Sequence, residues 1–305
     1  MIDLEAVRSL RTVAREGSVS AAAVALGFTP SAVSQQIKRL ERETGVALLE
    51  RVGRGVTLTD AGTQLVVGST PILAELERLR ADLQASAPVD GAVSGEVRIA
   101  AFSTVVRGLL APLLVDLART HPDLRLLVRE SEPWETVALI ASGQRDLGIA
   151  HQWGGVALAI PENIVVTPLF TDVADVIVHR DHPLAGRDVL HPRDLADEAW
   201  VATFETTICR QWLRRLFDGV SNAPRVIYES MEFENHLELA RTGAVVALVP
   251  RLGRAPLGPD LVAIPTLDPA STRDVVAVHR RSQADSPALR ATLTALRERG
   301  AALQT

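Results

Sequence analysis

The chain of 305 residues has one cysteine, one tyrosine, two methionines and, among its 32 basic residues, a single lysine, Lys38. The lone thiol, Cys209, excludes a disulfide framework within the chain, a zinc ribbon and an intramolecular thiol switch. No apolar run approaches the roughly 18 to 20 residues that a membrane-spanning helix needs. The opening Met1-Ile2-Asp3-Leu4-Glu5 is acidic and amphipathic, unlike a secretory leader, so a soluble cytoplasmic protein is expected. Phosphate-cradling glycine loops, a G-x-S-x-G elbow and metal-ligand spacings are all missing. His179 and His182 stand three apart before Pro183, but no cluster of carboxylates or cysteines supports a metal there, and they read as a surface loop. The expectation is a protein that is not an enzyme and carries neither metal nor cofactor.

What is present is ordinary globular composition, 47% hydrophobic and 23% charged. The length suits two domains, or two plus a small module. A net charge of −5, taken whole, argues against a nucleic-acid binder. The charge is uneven, however: residues 1–65 hold 8 basic and 7 acidic residues, and residues 66–305 hold 24 and 30. Between 29 and 58 the balance is +2, an excess too small to assign DNA binding without a pattern of residues.

The pattern is there. Leu4, Val7, Leu10, Val13 and Ala14 recur at helical spacing and predict a helix over 3–16, ended by Gly17. Ser18 can cap a second helix, packed through the small Ala21, Ala22 and Ala25 and stopped by Gly27. Thr29-Pro30 is a start signal, a capping hydroxyl followed by a proline at the first helical position. The helix from Pro30 to Glu43 buries Val33, Ile37 and Leu40 and leaves Ser31, Ser34, Gln35 and Lys38 on its outer face. Two helices joined by a glycine turn, the second with such a face, form a helix-turn-helix suited to a major groove, although periodicity alone fits two surface helices of any helical domain equally well. Two short strand-like runs, Leu48–Arg51 and Val56–Thr59, then flank Gly53-Arg54-Gly55. This is a hairpin wing that would set Arg51 and Arg54 beside a phosphate backbone.

Residues 2–83 resemble the DNA-binding module of LysR-type transcriptional regulators. The stretches that carry the resemblance are Ser18–Leu26, Thr29–Glu41, Gly45–Arg51 and Leu58–Gly62. It implies a winged helix-turn-helix, a dimerising linker helix and a C-terminal effector-binding region. It also carries DNA-contacting roles onto Ser31, Ser34, Gln35, Lys38, Arg51 and Arg54.

The linker fits this expectation on its own residues. From Asp60 to Ala85 the pattern stays helical, with Leu65, Ile72 and Leu79 in one row and Ser69, Leu76 and Leu83 in another, a two-row seam of coiled-coil type. Leu65, Ile72, Leu76, Leu79 and Leu83 are therefore the candidate dimer contacts. Pro71 is expected to kink or split the helix near Ser69-Thr70.

From residue 95 onward strands alternate with helices, which predicts a parallel sheet covered by helices. An A-x-F-x-T pattern at Ala100–Thr104 returns at Ala202–Thr206, and Leu139–Gly143 is echoed by Leu239–Gly243, which suggests two similar lobes with a cleft between. Ligands of open α/β sheets bind at the carboxyl ends of strands. There Ser103 and Thr104 in one lobe, and Glu205, Thr206 and Thr207 in the other, are expected at helix starts, a setting for a carboxylate. The resemblance, which implies a region like two-lobed periplasmic binding proteins, adds His151 and Thr203. No arginine is seen to join these hydroxyls, and Glu130, Glu132, Glu205 and Glu232 follow strands ending at the same cleft, so an amino acid or amine-bearing acid is the expected effector.

The fold class expected is therefore multidomain α/β. Residues 1–59 are a winged helix-turn-helix, 60–86 a linker helix, 87–94 a hinge and 95–305 a two-lobed effector-binding domain. One lobe takes about 95–162 and 267–305, the other about 163–266. The expected function is that of a transcriptional regulator whose partners are double-stranded DNA, a small-molecule effector and other copies of itself, as a dimer or tetramer. An effector-independent regulator, or an enzyme fused to a winged helix, are the alternatives.

Overall fold

The computed structural model describes residues 2–53, 55–86, 93–220 and 223–304, which form two compact units. The first is built on α1 (Leu4–Glu16), α2 (Val19–Leu26), α3 (Pro30–Thr44), a hairpin of β1 (Leu49–Val52) and β2 (Gly55–Leu58), and α4 (Asp60–Ser86). The helix starts are set by local capping: the Asp3 side chain accepts from Glu5 N, Ser18 from Ala21 N and Thr29 from Ala32 N. Gly17, Gly27 and Gly45 close the three helices in the left-handed conformation. Ala6, Val7, Leu10 and Leu40 form a core with Leu48 and Leu73, and Val13, Ala22, Ala23, Val33 and Ile37 form a second.

The hairpin is held to the helices through backbone. Val56 N donates to Gly17 O at 3.0 Å, and the Glu41 carboxylate accepts from Leu48 N at 2.9 Å. At the start of α4 the Thr59 hydroxyl donates to Ala47 O and accepts from Gly62 N. Gly62 is required there because a Cβ would sit 2.2 Å from Leu48 O. Pro71 does not split α4, which runs unbroken through 27 residues. The carbonyl that loses its partner is Val67 O, four residues before Pro71, on an exposed residue open to water; the Ser69 and Thr70 hydroxyls donate instead to Val66 O.

The second unit begins with β3 (Gly95–Ala101). Residues 103–120 form three consecutive helical pieces, α5 (Ser103–Val105), a π-helical Val106–Leu110 and α6 (Ala111–Thr120). There follow β4 (Leu124–Glu130), α7 (Pro133–Ala141), β5 (Leu147–Trp153) and the long β6 (Ile164–His179). Then come β7 (Ala199–Ala202), α8 (Ile208–Leu216), β8 (Arg225–Glu229), α9 (Phe233–Arg241), β9 (Val246–Pro250), β10 (Leu261–Pro265), β11 (Thr272–Arg280) and α10 (Pro287–Ala302).

The strand order is β4-β3-β5-β11-β6-β9-β7-β8, with β10 also on β6. On one side β3 runs parallel to β4 and β5, and on the other β7 runs parallel to β8 and β9. The long strands β6 and β11 lie side by side in the middle, which gives two halves of like architecture. One half packs Ile99, Leu109, Leu113 and Ile149 with Leu289 and Leu296 of α10. The other buries Val176, Val178, Trp200, Leu213 and Val246 on one face and Ile177, Val201, Leu237 and Ala247 on another. No described helix is long and apolar enough to cross a membrane.

Candidate functional site

In the first unit the apolar stripe of α3, Val33, Ile37 and Leu40, is buried, and this turns Ser31, Gln35 and Lys38 to solvent with Ser34 half-buried beside them. The three exposed side chains offer hydroxyl, amide and ammonium groups, the donor and acceptor set that reads base edges and phosphates. Arg51 is exposed on β1, paired with Val56 of β2. Arg54, the other expected backbone contact, lies outside the described residues. An open depression of about 940 Å³ runs along α3, lined by Gln35, Gln36, Lys38, Arg39 and Arg42 with Val46.

In the second unit a buried polar cluster forms where β3, β5, β6 and β11 meet. Arg273 of β11 is only 1% exposed. Its Nε donates to Asp172 Oδ2 at 2.9 Å and its Nη2 to Thr104 Oγ1 at 2.7 Å. The other oxygen of Asp172 accepts from Leu252 N, just past β9. Because the Thr104 oxygen accepts from Arg273, its own hydrogen is left for another partner. The guanidinium carbon lies 5.0 Å from the Phe102 ring centre and 5.7 Å from that of Trp153.

His151, on β5, packs edge-on to Phe102, and its buried Nδ1 has no hydrogen-bond partner. Burial, and next the charge of Arg273, hold its pKa well below 6.5, so the ring is neutral at pH 7. Glu132 is pushed the other way, its pKa raised by burial and by its acidic neighbours Glu130 and Glu135.

Across from this cluster Trp153 stacks on Trp212 of α8, with ring centres 5.7 Å apart at 20°. The Thr207 hydroxyl donates to Phe204 O and accepts from Arg210 N, so Thr203, 2.6 Å away, donates to it and keeps lone pairs free. Behind lies a cavity of about 20 Å³ lined by Trp153, Thr203, Cys209, Phe233, His236 and Pro250. That is room for about one water molecule. The buried Nε1 of Trp153 has no hydrogen-bond partner. His236 Nε2 lies 2.9 Å from Ser230 O and must donate to it, so Nδ1, buried and unpartnered, is a bare acceptor. Burial pushes the Cys209 thiol up to about 11, which makes it a packing residue rather than a nucleophile.

Residues 4–63 match the family described as bacterial regulatory helix-turn-helix protein, lysR family, and residues 90–301 match the LysR substrate binding domain. The chain belongs to the LysR family. It is similar to an uncharacterized HTH-type transcriptional regulator, YfeR, of Shigella flexneri, 28% identical over 98% of this chain and 95% of that one. It is also similar to a RuBisCO operon transcriptional regulator of Allochromatium vinosum, 30% identical over 88% of this chain and 81% of that one. Among solved structures, a full-length OxyR variant from Pseudomonas aeruginosa has the same fold, with a TM-score of 0.70, 21% identity and coverage of 98% and 95%. Like its relatives, this LysR-family chain is a transcriptional regulator, with a helix-turn-helix module and a substrate-binding domain for an effector.

Within the substrate-binding domain the structure brings Thr104 and His151 together beside Arg273, with Ser103 half-buried next to Thr104. Thr203 is buried in the opposite half. Glu205 and Thr206 do not join them. The cap of α8 is Thr207, the last of the three residues expected at the helix start, and this leaves the Glu205 side chain 75% exposed, its Oε1 4.0 Å from Arg210 Nη2, and Thr206 in solvent. Glu130 and Glu232 are exposed as well.

The expectation that no arginine meets the hydroxyls is overturned by Arg273, which the sequence separates from Thr104 by 169 residues. Asp172, Trp153 and Trp212 are site residues that the sequence pattern does not reveal either. The apolar run Val275–Val278, which marks β11 as a buried strand, is the one signal that points to an arginine set inward at 273. On α4, Ile72, Leu76, Leu79 and Leu83 are exposed, whereas Leu65 is half-buried against the helix-turn-helix core.

Proposed function

We propose that this regulator binds an interrupted dyad as a dimer joined through α4, and that a small acid bound beside Thr104 and Arg273 changes the DNA-binding state. The observation that carries the reading is the buried cluster itself. A guanidinium fixed by Asp172, a hydroxyl with a hydrogen to give and an unpartnered His151 Nδ1 stand together at the carboxyl end of β3. Buried polar atoms without partners are rare, and where they converge they mark a site for an absent polar group. Thr203 and Ser103 complete the effector contacts in this reading. With Glu205 and Glu232 in solvent, two of the partners expected for an amine are lost. Arg273 is charge-balanced by Asp172 and near Glu132, so an acid is favoured here for the hydrogen-bond donors that it would meet and not for net charge.

On the DNA side, Ser31, Ser34, Gln35 and Lys38 read the major groove, and Arg51, together with Arg54, holds the phosphate backbone. Ile72, Leu76, Leu79 and Leu83 form the seam of α4 against a second copy, and residues 60–86 act as the linker between the domain of 1–59 and that of 95–305. Pairing of dimers would give the tetramer. A second reading has its own support: Trp153 on Trp212 and a cavity with room for about one water suit a regulator that needs no effector.

The deciding experiment is selection of bound fragments from the genomic DNA of the source bacterium, followed by titration of the selected operator with and without a panel of small acids. An acid that shifts operator affinity, and loses its effect with Thr104→Val, supports the first reading. Operator binding that no acid alters supports the second.

A further inference from the structure

On α3, next to the outward-facing Gln35, the half-buried Gln36 is tied to α1. The Ser9 side chain, 1% exposed, donates its hydroxyl to Gln36 Oε1 at 2.6 Å. A free glutamine offers a duplex both an acceptor and two donors, which is why it suits the adenine edge. Ser9 narrows that choice. It takes one of the two lone pairs of the amide oxygen and turns that oxygen toward α1, so the Nε2 hydrogens, on the other arm of the amide, are turned away from Ser9.

We infer that Gln36, held in one amide orientation by Ser9, donates to a phosphate oxygen on the wall of the groove that α3 enters. The inference rests on the DNA-binding reading above and adds to it a contact and a positioning residue. At about 100° per residue, Gln36 lies at the inner edge of the flank of α3, roughly 140° from Ser31, about 60° from exposed Arg39 and about 40° from buried Leu40, so that only its long side chain reaches the surface. The residues near the centre of the outward face meet base edges, and a side chain on the flank meets the backbone. The depression along α3 is lined by Gln36 with Lys38, Arg39, Arg42 and Glu41; Arg39 is paired with Asp3 and Glu43, which leaves Lys38 and Arg42 as the cations that suit a phosphate. Ser9 acts through Gln36 and touches no DNA.

The test uses the full-length protein with two probes, the operator selected from genomic fragments and a random-sequence duplex, each titrated at several salt concentrations. Gln36→Ala is expected to weaken both by roughly tenfold, as for the loss of a hydrogen bond to a charged group. The salt slope should not change, because a neutral amide displaces no counterion. Gln36→Lys should restore affinity and steepen the slope by about one unit. Ser9→Ala should weaken both probes, and should have no further effect once Gln36 is alanine.

Gln36→Glu, nearly isosteric, tests the same contact if the alanine variant fails to fold, since a carboxylate facing a phosphate should bind more weakly still. Unchanged affinity in Gln36→Ala, or a loss confined to one symmetric base pair, would overturn the phosphate contact. Additive effects of Ser9→Ala and Gln36→Ala would overturn the positioning role. If Gln35→Ala still relaxes base preference in those cases, the DNA-binding reading stands; if the protein selects no fragment at all, that reading fails first.

Discussion

Arg273 and Thr104, 169 residues apart in the chain, meet through a 2.7 Å hydrogen bond that ties β11 to the turn after β3. The same guanidinium is paired with Asp172 of β6, whose second oxygen holds Leu252 N. A disturbance at Thr104 is therefore three hydrogen bonds away from the loop after β9. That chain of contacts gives an effector bound at Thr104 a physical route from one half of the domain to the other.

The pair is buried, so breaking it is costly while replacing it whole is less so. Arg273→Leu or Asp172→Asn alone should destabilise the substrate-binding domain by about 3–5 kcal/mol, because each leaves an uncompensated buried group. The double change Arg273→Leu with Asp172→Leu should recover part of this. Recovery stops short because Leu252 N would then lack its acceptor. Urea denaturation of the three variants measures the difference, and a double variant as unstable as the sum of the singles would contradict it.

The helix-turn-helix is legible in the sequence because its signals are local. A capping hydroxyl and the residue it serves lie three apart, as Ser18 and Ala21 or Thr29 and Ala32 do, and each terminal glycine directly follows its helix. The effector cluster is not legible, because its decisive contacts join β11 to β6 across 101 residues and to α5 across 169. The pattern places hydroxyls after strands but does not tell which of three successive residues caps α8. The cap is Thr207, and Glu205 and Thr206, taken as effector contacts, precede it in solvent. Pro71 misleads because losing one N–H does not end a helix where the freed carbonyl, that of exposed Val67, is open to water.

Two buried histidines make stability fall in mild acid. His151 and His236 both have pKa values lowered by burial, the former well below 6.5. Above pH 6.5 neither contributes, since folded and unfolded states are both neutral. As pH falls below 6.5 the unfolded chain takes up protons that the folded chain cannot, so stability is lost at up to about 1.4 kcal/mol per pH unit per histidine. Thermal denaturation at pH 7.5 and pH 5.5 (roughly one unit either side of the histidine range) should show a smaller difference for His151→Gln than for the parent chain. An equal difference would place the acid sensitivity elsewhere.

The wing and the recognition helix should separate by their salt dependence. Arg51→Ala should weaken every duplex alike and reduce the salt slope by about one unit, as the loss of one phosphate contact does. Gln35→Ala should instead cost about 1–3 kcal/mol at one base pair of each half-site and leave the slope unchanged. Competition titrations on a library of single-base operator variants distinguish the two. A base-specific loss for Arg51→Ala would move the hairpin from the backbone into a groove.

The last prediction concerns α4. Ile72, Leu76, Leu79 and Leu83 are all exposed on a helix of 27 residues, about 40 Å long. Their spacing is that of two rows in a coiled-coil seam. Half-buried Leu65 packs at the other end against the helix-turn-helix core, so the free seam begins at Ile72. Replacing Leu76 and Leu79 with Glu would bring four acidic side chains together in a dimer, where burying unpaired charge is expensive. Light scattering should then report monomers, and operator affinity should fall with loss of the second half-site. Far-ultraviolet circular dichroism should stay nearly unchanged, because neither leucine supports the folded unit of its own chain. A dimer that survives the double change would mean that surfaces other than α4 hold the copies together, and Leu76 and Leu79 would then need another reason for being apolar.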